Sequence, residues 1–220
     1  MATKPSPVAR RPASSDGKDG KGSLIELGVI VVVALGLALG IQQFLVKPFR
    51  IPSESMVPTL QVGQRVLVDR VSPHFSDPER GDILVFKPPE GADDDAEIQC
   101  ANEVPNQPCD KAVPERSKTN FIKRVVGVPG DVLFVKEGRV YLKGKDGRFR
   151  QQKEPFIRPD SACETCNETK PIRIQPGHFF MMGDNRGNST DSRVWGPIPK
   201  SSVIGGAFFT YWPPKRIGTP

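Results

Sequence analysis

Asn120-Phe121-Ile122-Lys123-Arg124-Val125-Val126-Gly127-Val128-Pro129-Gly130-Asp131 is the stretch on which the fold turns. Its apolar, β-branched run stops at a Pro-Gly turn, which is the pattern of a buried strand. The same signature recurs in both directions along the chain. Arg65 to Val68 and Ile83 to Phe86 come before it; Val132 to Val135, Arg139 to Leu142, Phe179 to Met182 and Val203 to Tyr211 come after. Each is short, β-branched or aromatic, and bounded by Pro or Gly. Lys136-Glu137-Gly138 reads as a hairpin turn between two of them. The expectation is a mainly β protein: an all-β domain over residues 48–131 and 176–220, with a small inserted β-ribbon lobe over 132–175.

Lys123 is the unusual member of the central run. Burial in apolar surroundings lowers a lysine pKa from its reference of about 10.4 towards a value at which it accepts a proton. A strand lysine can instead snorkel its ammonium to water and stay charged. Upstream, Ile51-Pro52-Ser53-Glu54-Ser55-Met56-Val57-Pro58-Thr59-Leu60 sets two small hydroxyls just past a long apolar segment. A serine hydroxyl becomes a nucleophile only when a nearby base takes its proton. The two histidines, His74 in a polar loop-like stretch and His178 at a turn entering a strand, read as ordinary surface or turn residues. A third segment, Met182-Gly183-Asp184-Asn185-Arg186-Gly187-Asn188-Ser189-Thr190-Asp191-Ser192-Arg193, is dense in hydroxyls and paired charges. Such a loop either orients a neutral amine and fixes the backbone through Asp–Arg pairs, or is a solvated turn.

In this order the segments resemble the type I (leader) signal peptidases, membrane-bound Ser/Lys endopeptidases that remove signal peptides from exported proteins. Ser53 to Leu60 resembles the nucleophile block, Arg80-Gly81-Asp82-Ile83-Leu84-Val85-Phe86 the structural strand block, Lys123 to Asp131 the base block, and Gly183 to Arg193 the last block. The resemblance covers roughly half the chain. It implies that Ser55 attacks the scissile carbonyl, that Lys123 is the general base, and that the Ser53 hydroxyl and the Ser55 N–H form the oxyanion hole. Fixed donors aimed at a developing oxyanion are typically a large term in acyl transfer. It also implies that Ser189 hydrogen-bonds the lysine amine, that Asp184, Arg186, Asp191 and Arg193 support the site, and that no cofactor or metal is needed. Phe49, Ile51, Met56, Phe121 and Ile122 would face the small residues before the scissile bond (Ala-x-Ala type), the other reading of these five being core packing. One position departs from the family: Gly187 stands where an acidic residue commonly follows Asp-Asn-Arg, which bears on loop geometry.

Residues 1–22 are rich in Pro, Ser, Gly, Lys and Arg without apolar periodicity, as expected of a disordered cytoplasmic tail. Leu24 to Val46 then runs apolar, broken only by Glu26, Gln42 and Gln43, and predicts one transmembrane helix over 23–47. Lys4, Arg10, Arg11, Lys18 and Lys21 precede it. By the positive-inside rule the N-terminus is cytoplasmic and the rest lies on the outer face of the cytoplasmic (inner) membrane. Ala38-Leu39-Gly40 has the look of an export-signal cleavage site, but the apolar run continues past it and the polar leader is long. The net charge of +6 and pI near 9.2 come with no dense Lys/Arg run or nucleic-acid motif, so they fit an anionic lipid surface and not nucleic acid. The expected partners are the lipid bilayer and the signal peptides of preproteins.

Four cysteines suit an exported domain. Cys100 and Cys109 share one acidic loop and Cys163 and Cys166 another, and disulfides are expected, Cys100 with Cys109 being the comfortable pair. Cys163-Glu164-Thr165-Cys166 is also a Cys-x-x-Cys, compatible with redox chemistry or a share in a zinc site. Asp93-Asp94-Asp95 reads as a solvated loop. Two other functions fit the same features: a Ser/Lys peptidase dedicated to one pilus or conjugation substrate, and a non-catalytic membrane-anchored β binding domain. A self-cleaving DNA-bound regulator would carry a helix-turn-helix in place of the span, and none is visible.

Overall fold

The computed structural model describes residues 20–92, 100–101, 107–158, 166–167 and 170–220. The tail over 1–19, the Asp93-Asp94-Asp95 run and Cys163 lie outside them. The chain divides into two compact units after Ile41.

The described residues of the first unit are helical. α1 (Gly20–Phe44) is apolar all round, with Leu24, Ile30, Val32 and Leu39 exposed, and a helix of that kind needs apolar surroundings. Its Leu24–Ile41 stretch is long and apolar enough to cross a membrane. The apolar run expected to stay helical to residue 47 stops at Phe44, and Val46 already pairs with Asp69 in a sheet. Pro48 supplies the reason, since proline cannot continue a helix and biases the residue before it towards extended backbone.

The second unit, Gln42–Pro220, is built of strands. In chain order these are β1 (Val46–Arg50), β2 (Arg65–Asp69), β3 (Ile83–Phe86), β4 (Phe121–Gly127), β5 (Val132–Lys136), β6 (Arg139–Lys143), β7 (Phe149–Gln151), β8 (Ile172–Arg173), β9 (His178–Met182), β10 (Ile198–Pro199) and β11 (Val203–Trp212). Two short helices, α2 (Ser72–Phe75) and α3 (Ser192–Trp195), join them. Seven strands make one antiparallel sheet in the order β1-β2-β11-β3-β4-β9-β10, and four make a second in the order β7-β6-β5-β8. Every strand expected from the sequence is present to within one residue at each end. β1, β7, β8 and β10 are additional. β1 carries Pro48 at the sheet edge, where a missing N–H is tolerated, and the other three have two or three residues each. The β5–β6 hairpin closes on Glu137 (φ 51°) and Gly138 (φ 72°), the two left-handed residues that a tight turn between twisted strands requires.

Burial sets the faces. Along β3, Leu84 and Phe86 point into a core with Val125, Phe179, Met181 and Trp195, while Ile83 and Val85 point into another with Ile51, Met56, Leu60, Val66 and Ile122. Along β9, Phe179 and Met181 join the first core; Phe180 and Met182 join a third, formed with Leu133, Val135, Val140, Leu142 and Ile172 of the four-stranded sheet. β4 lies between β3 and β9 and is buried along nearly its whole length. Successive side chains of a strand point to opposite faces. The adjacent Lys123 and Arg124 therefore project to opposite sides, and both end inside the protein.

Candidate active site

Ser55 sits in an irregular turn after β1. Ile51 N donates to Gln64 O at 2.8 Å and Gly63 N to Ile51 O at 2.9 Å, closing the base of the turn, and Val57 N donates to Glu54 O at 3.0 Å within it. Ile51, Met56 and Leu60 sink into the core on either side of the serine. Lys123 reaches the same point from the middle of β4, and its Nζ donates to Ser55 Oγ at 2.6 Å. The two residues are only 6% and 4% exposed.

Burial lowers the Lys123 pKa from the ordinary 10.5 to about 8; Asp191 and Asp184 oppose the shift and Arg193 adds to it. The carboxylates fail to hold the ammonium because each is committed elsewhere. Arg193 takes both oxygens of Asp191 at 2.8 Å, Arg124 both oxygens of Asp184 at 2.9 and 2.7 Å, and Arg186 reaches Glu154 at 2.6 Å. Each buried arginine thus has its own counter-ion, whereas Lys123, among the described residues, is in no ion pair. A proton on Lys123 adds a charge that nothing nearby is free to balance, which disfavours the ammonium. For Asp191, burial acts to raise the pKa, but the charge and hydrogen bonds of Arg193, the Gly183 N–H and Lys123 outweigh it and hold the carboxyl below its usual range. Burial likewise acts to lower the Arg193 pKa, and Asp191 more than reverses this.

The loop after β9 grips the serine turn. Asn185 N donates to Ser55 O at 3.0 Å, Asn185 Nδ2 to Glu54 O at 3.2 Å and Asn188 Nδ2 to Glu54 Oε2 at 3.4 Å. Gly183 N donates to Asp191 Oδ2 at 3.0 Å. At Gly183 there is no room for a side chain: a Cβ would collide with Ser55 O and Ser189 Oγ. Thr59 Oγ1 donates to Asp184 Oδ2 at 2.5 Å, and Arg124 Nη1 to Gly81 O at 2.7 Å. The Arg124–Asp184 pair therefore ties together the serine turn, the turn before β3, β4 and the loop. Arg186 points the other way and donates to the Gly138 carbonyl as well as to Glu154, fastening the loop to the four-stranded sheet. The product is a water-poor contact between a hydroxyl and an amine that is easily deprotonated, an arrangement able to generate an alkoxide nucleophile. Among the described residues no group of three or more His, Cys, Asp or Glu could hold a metal ion.

A family model for signal peptidase, peptidase S26, matches residues 24–212. The chain belongs to that family. It is similar to the signal peptidase I of Leptolyngbya laminosa (36% identical, covering 94% of this chain and 89% of that one) and to a probable signal peptidase I-1 of Synechocystis sp. (38%, covering 86% and 83%). The signal peptidase I of Pseudomonas aeruginosa is 32% identical, covering 90% and 76%. A crystal structure of a signal peptidase I from Enterococcus faecalis aligns at a TM-score of 0.38 and 20% identity over 60% of this chain and 97% of that one, a distant likeness. As a member of the family the chain is a serine endopeptidase of the signal peptidase I type, a hydrolase whose substrates are signal-peptide-bearing preproteins.

Of the residues singled out in the sequence, Ser55, Lys123, Asp184, Arg186, Asp191 and Arg193 meet in this one region. Ser189 is there too, but its Oγ donates to Asp191 Oδ2 at 2.7 Å and, among the described residues, not to Lys123. The charged carboxylate is a strong acceptor for the hydroxyl's hydrogen bond. Ser53 is exposed, with its Oγ 3.3 Å from Ser55 Oγ. The five residues expected to face substrate divide. Ile51, Met56 and Ile122 belong to one core with Phe49 at its margin, whereas Phe121 packs edge-on against Trp195, 5.9 Å between ring centres, in the other. Met56 has no accessible surface, so it is a core residue. Gly187 is exposed on the loop, His74 is exposed on α2, and His178 Nδ1 lies 3.0 Å from Pro176 O. Cys100 and Cys109 are bonded, with Cα atoms 5.6 Å apart; Cys166 is buried and disulfide-bonded. Arg124, Thr59 and Glu154 were not foreseen. The signal for Arg124 was present: a second cation next to Lys123 in a buried strand must face the opposite side and needs its own anion.

Proposed function

We propose that the peptidase works through a Ser55/Lys123 dyad. The observation that carries this is the 2.6 Å contact between Lys123 Nζ and Ser55 Oγ, both buried. Neutral Lys123 takes the hydroxyl proton as Ser55 Oγ bonds to the scissile carbonyl carbon. The resulting oxyanion is met by the Ser55 N–H and the Ser53 hydroxyl. The lysine ammonium then protonates the leaving amine as the C–N bond breaks, giving an acyl-enzyme. The lysine amine, neutral again, takes a proton from water as the water oxygen attacks the ester carbonyl, and returns it to Ser55 Oγ as the ester C–O bond breaks, which releases the new carboxyl end and regenerates Ser55. Asp184, Arg186, Asp191, Arg193 and Ser189 hold the frame, Ser189 through Asp191.

The reading extends to substrate and place. Residues 48–131 and 176–220 form the catalytic domain, with 132–175 as an inserted lobe and α1 as the membrane anchor. The N-terminus is cytoplasmic and the catalytic domain lies on the outer face of the cytoplasmic membrane. Of the five residues, Phe49 and Phe121 are half-buried and left able to face small residues such as Ala before the cut and to reject bulk by overlap, while Ile51, Met56 and Ile122 back them from the core. One methylene in such a pocket discriminates by only about 1 to 3 kcal/mol.

The test is cleavage of a purified preprotein, with the new N-terminus sequenced. Ser55→Ala and Lys123→Ala are each expected to lose nearly all turnover while remaining folded, because the two groups act as one unit. Lys123→Arg is expected to fail as well, since a guanidinium stays charged and cannot accept the proton. Substantial cleavage by Lys123→Ala overturns the dyad.

A further inference from the structure

One segment of the four-stranded sheet reaches the dyad's supports without touching the dyad. After β7 the chain crosses from Gln152 to Arg158 as a strap, anchored where Gln152 N donates to Val140 O at 2.8 Å. Three consecutive contacts follow. The buried Glu154 carboxylate accepts from Arg186 Nη2 at 2.6 Å and from Val140 N at 3.0 Å. The Phe156 ring lies 4.0 Å beneath the Arg124 guanidinium. Arg158 N donates to Asp184 O at 3.0 Å.

Each contact falls on a group that holds the reacting pair in place. Arg124 is the neighbour of Lys123 on β4 and is bidentate to Asp184. Asp184 is bonded to Thr59, four residues beyond Ser55, and begins the loop whose Asn185 N–H holds the Ser55 carbonyl. Arg186 fixes that loop through Gly183 O at 3.0 Å. A partly desolvated guanidinium over an aromatic face gains from the ring's negative quadrupole, and the planar stack fixes the angle at which its fork meets the carboxylate.

We propose that Phe156 and Glu154 are positioning residues of the peptidase, the strap clamping Arg124, Asp184 and Arg186 so that Lys123 and Ser55 keep their contact. This rests on the Ser55/Lys123 reading. The inserted lobe thereby contributes to catalysis from a surface remote from the scissile bond. With Phe156 removed, Arg124 is freer to leave Asp184, whose unbalanced charge then favours the lysine ammonium. The charged groups facing Lys123 are Asp184, Asp191 and Arg193, and of these Asp184 alone is clamped by the strap.

The experiment compares full-chain wild type with Phe156→Leu, Phe156→Tyr and Glu154→Gln in detergent, measuring kcat, KM and the pH profile of kcat on one preprotein, with melting temperature recorded for each. Phe156→Leu, which keeps apolar bulk but not the π face, is expected to lower kcat about tenfold with KM within about twofold, and to move the acid limb of the profile to higher pH. Phe156→Tyr, which keeps the face, is expected to recover kcat to within about threefold of wild type, and Glu154→Gln to lower kcat about tenfold through the loop. A purely structural strap gives lower melting temperatures with kcat and the acid limb unmoved, and that result overturns the proposal. Should Phe156→Leu fail to fold, Glu154→Gln alone decides: unchanged kcat rejects the clamp. Lys123→Ala run alongside separates the two ideas, because an active Lys123→Ala refutes the dyad itself, whereas a dead Lys123→Ala beside a fully active Phe156→Leu refutes only the strap.

Discussion

Lowering the Lys123 pKa from 10.5 to about 8 corresponds to roughly 3 kcal/mol withheld from the folded state wherever the lysine must be charged. The unfolded chain binds that proton more tightly, so the deficit is full below about pH 8 and disappears as the pH rises towards 10.5. Two outcomes are expected. Cleavage should climb with pH through about 8 as the amine becomes free, and kcat that is flat between the acid and alkaline sides of that value would contradict the assignment. Lys123→Met, an apolar chain of similar length, should melt higher than wild type at neutral pH while cleaving nothing, a comparison made by calorimetry and preprotein assay on the same two samples. The neighbouring hydroxyl offers a milder change. Ser53→Ala should cost about 2 to 4 kcal/mol in activation free energy if it supplies one oxyanion donor, read as lost kcat with binding preserved.

Among the elements, the loop after β9 is the most sensitive. Gly183→Ala places a methyl where Ser55 O and Ser189 Oγ already sit, so the loop must retreat from the serine turn. Displacement of that order should lower kcat roughly 100-fold, with the protein still folded by circular dichroism; full activity would mean that the close approach is irrelevant. Asp184→Asn strips the buried Arg124 of its counter-ion and should cost about 3 to 5 kcal/mol of stability, visible in urea unfolding. The strands around this loop were legible because β-branched and aromatic runs between Pro/Gly turns need only local information. β1 was missed because Lys47, Pro48 and Arg50 break the β-branched pattern and its first residue closes the apolar run that suits a helix, and β8 and β10, of two residues each, are held by their partners and not by their own composition. In the site, Ser55 and Lys123 could be picked out by resemblance, and Asp184 by its block. The pairing of Arg124 with Asp184, sixty residues apart in sequence, could not, nor could Glu154, since which carboxylate answers which arginine is decided by the sheet order. The Ser189 hydroxyl, expected at the amine, donates to Asp191 in the structure, a partner that a list of polar residues does not disclose.

For the whole molecule, the basic leader, the exposed apolar α1 and the β unit beginning at Gln42 lead to a topology test. Protease added to the outer face of intact cytoplasmic membrane should digest the bulk of the chain and spare a short N-terminal piece; full protection of the β unit would overturn the orientation. Within the large sheet, β2 and β3 are consecutive in sequence yet are separated by β11, which pairs with both. Among the described residues β11 is the link between the β1–β2 pair and the rest of that sheet. A chain ending at Ser202 retains Ser55, Lys123 and the whole Gly183–Arg193 loop, but its sheet stays in two pieces, and it should show no cleavage of a preprotein that the full chain processes. Under the proposed orientation, translocation delivers Ser55 early and Val203–Trp212 late. Under that orientation the outer part of the chain would carry Ser55 across before the strand that completes its sheet, so cutting would wait for the last strand to arrive.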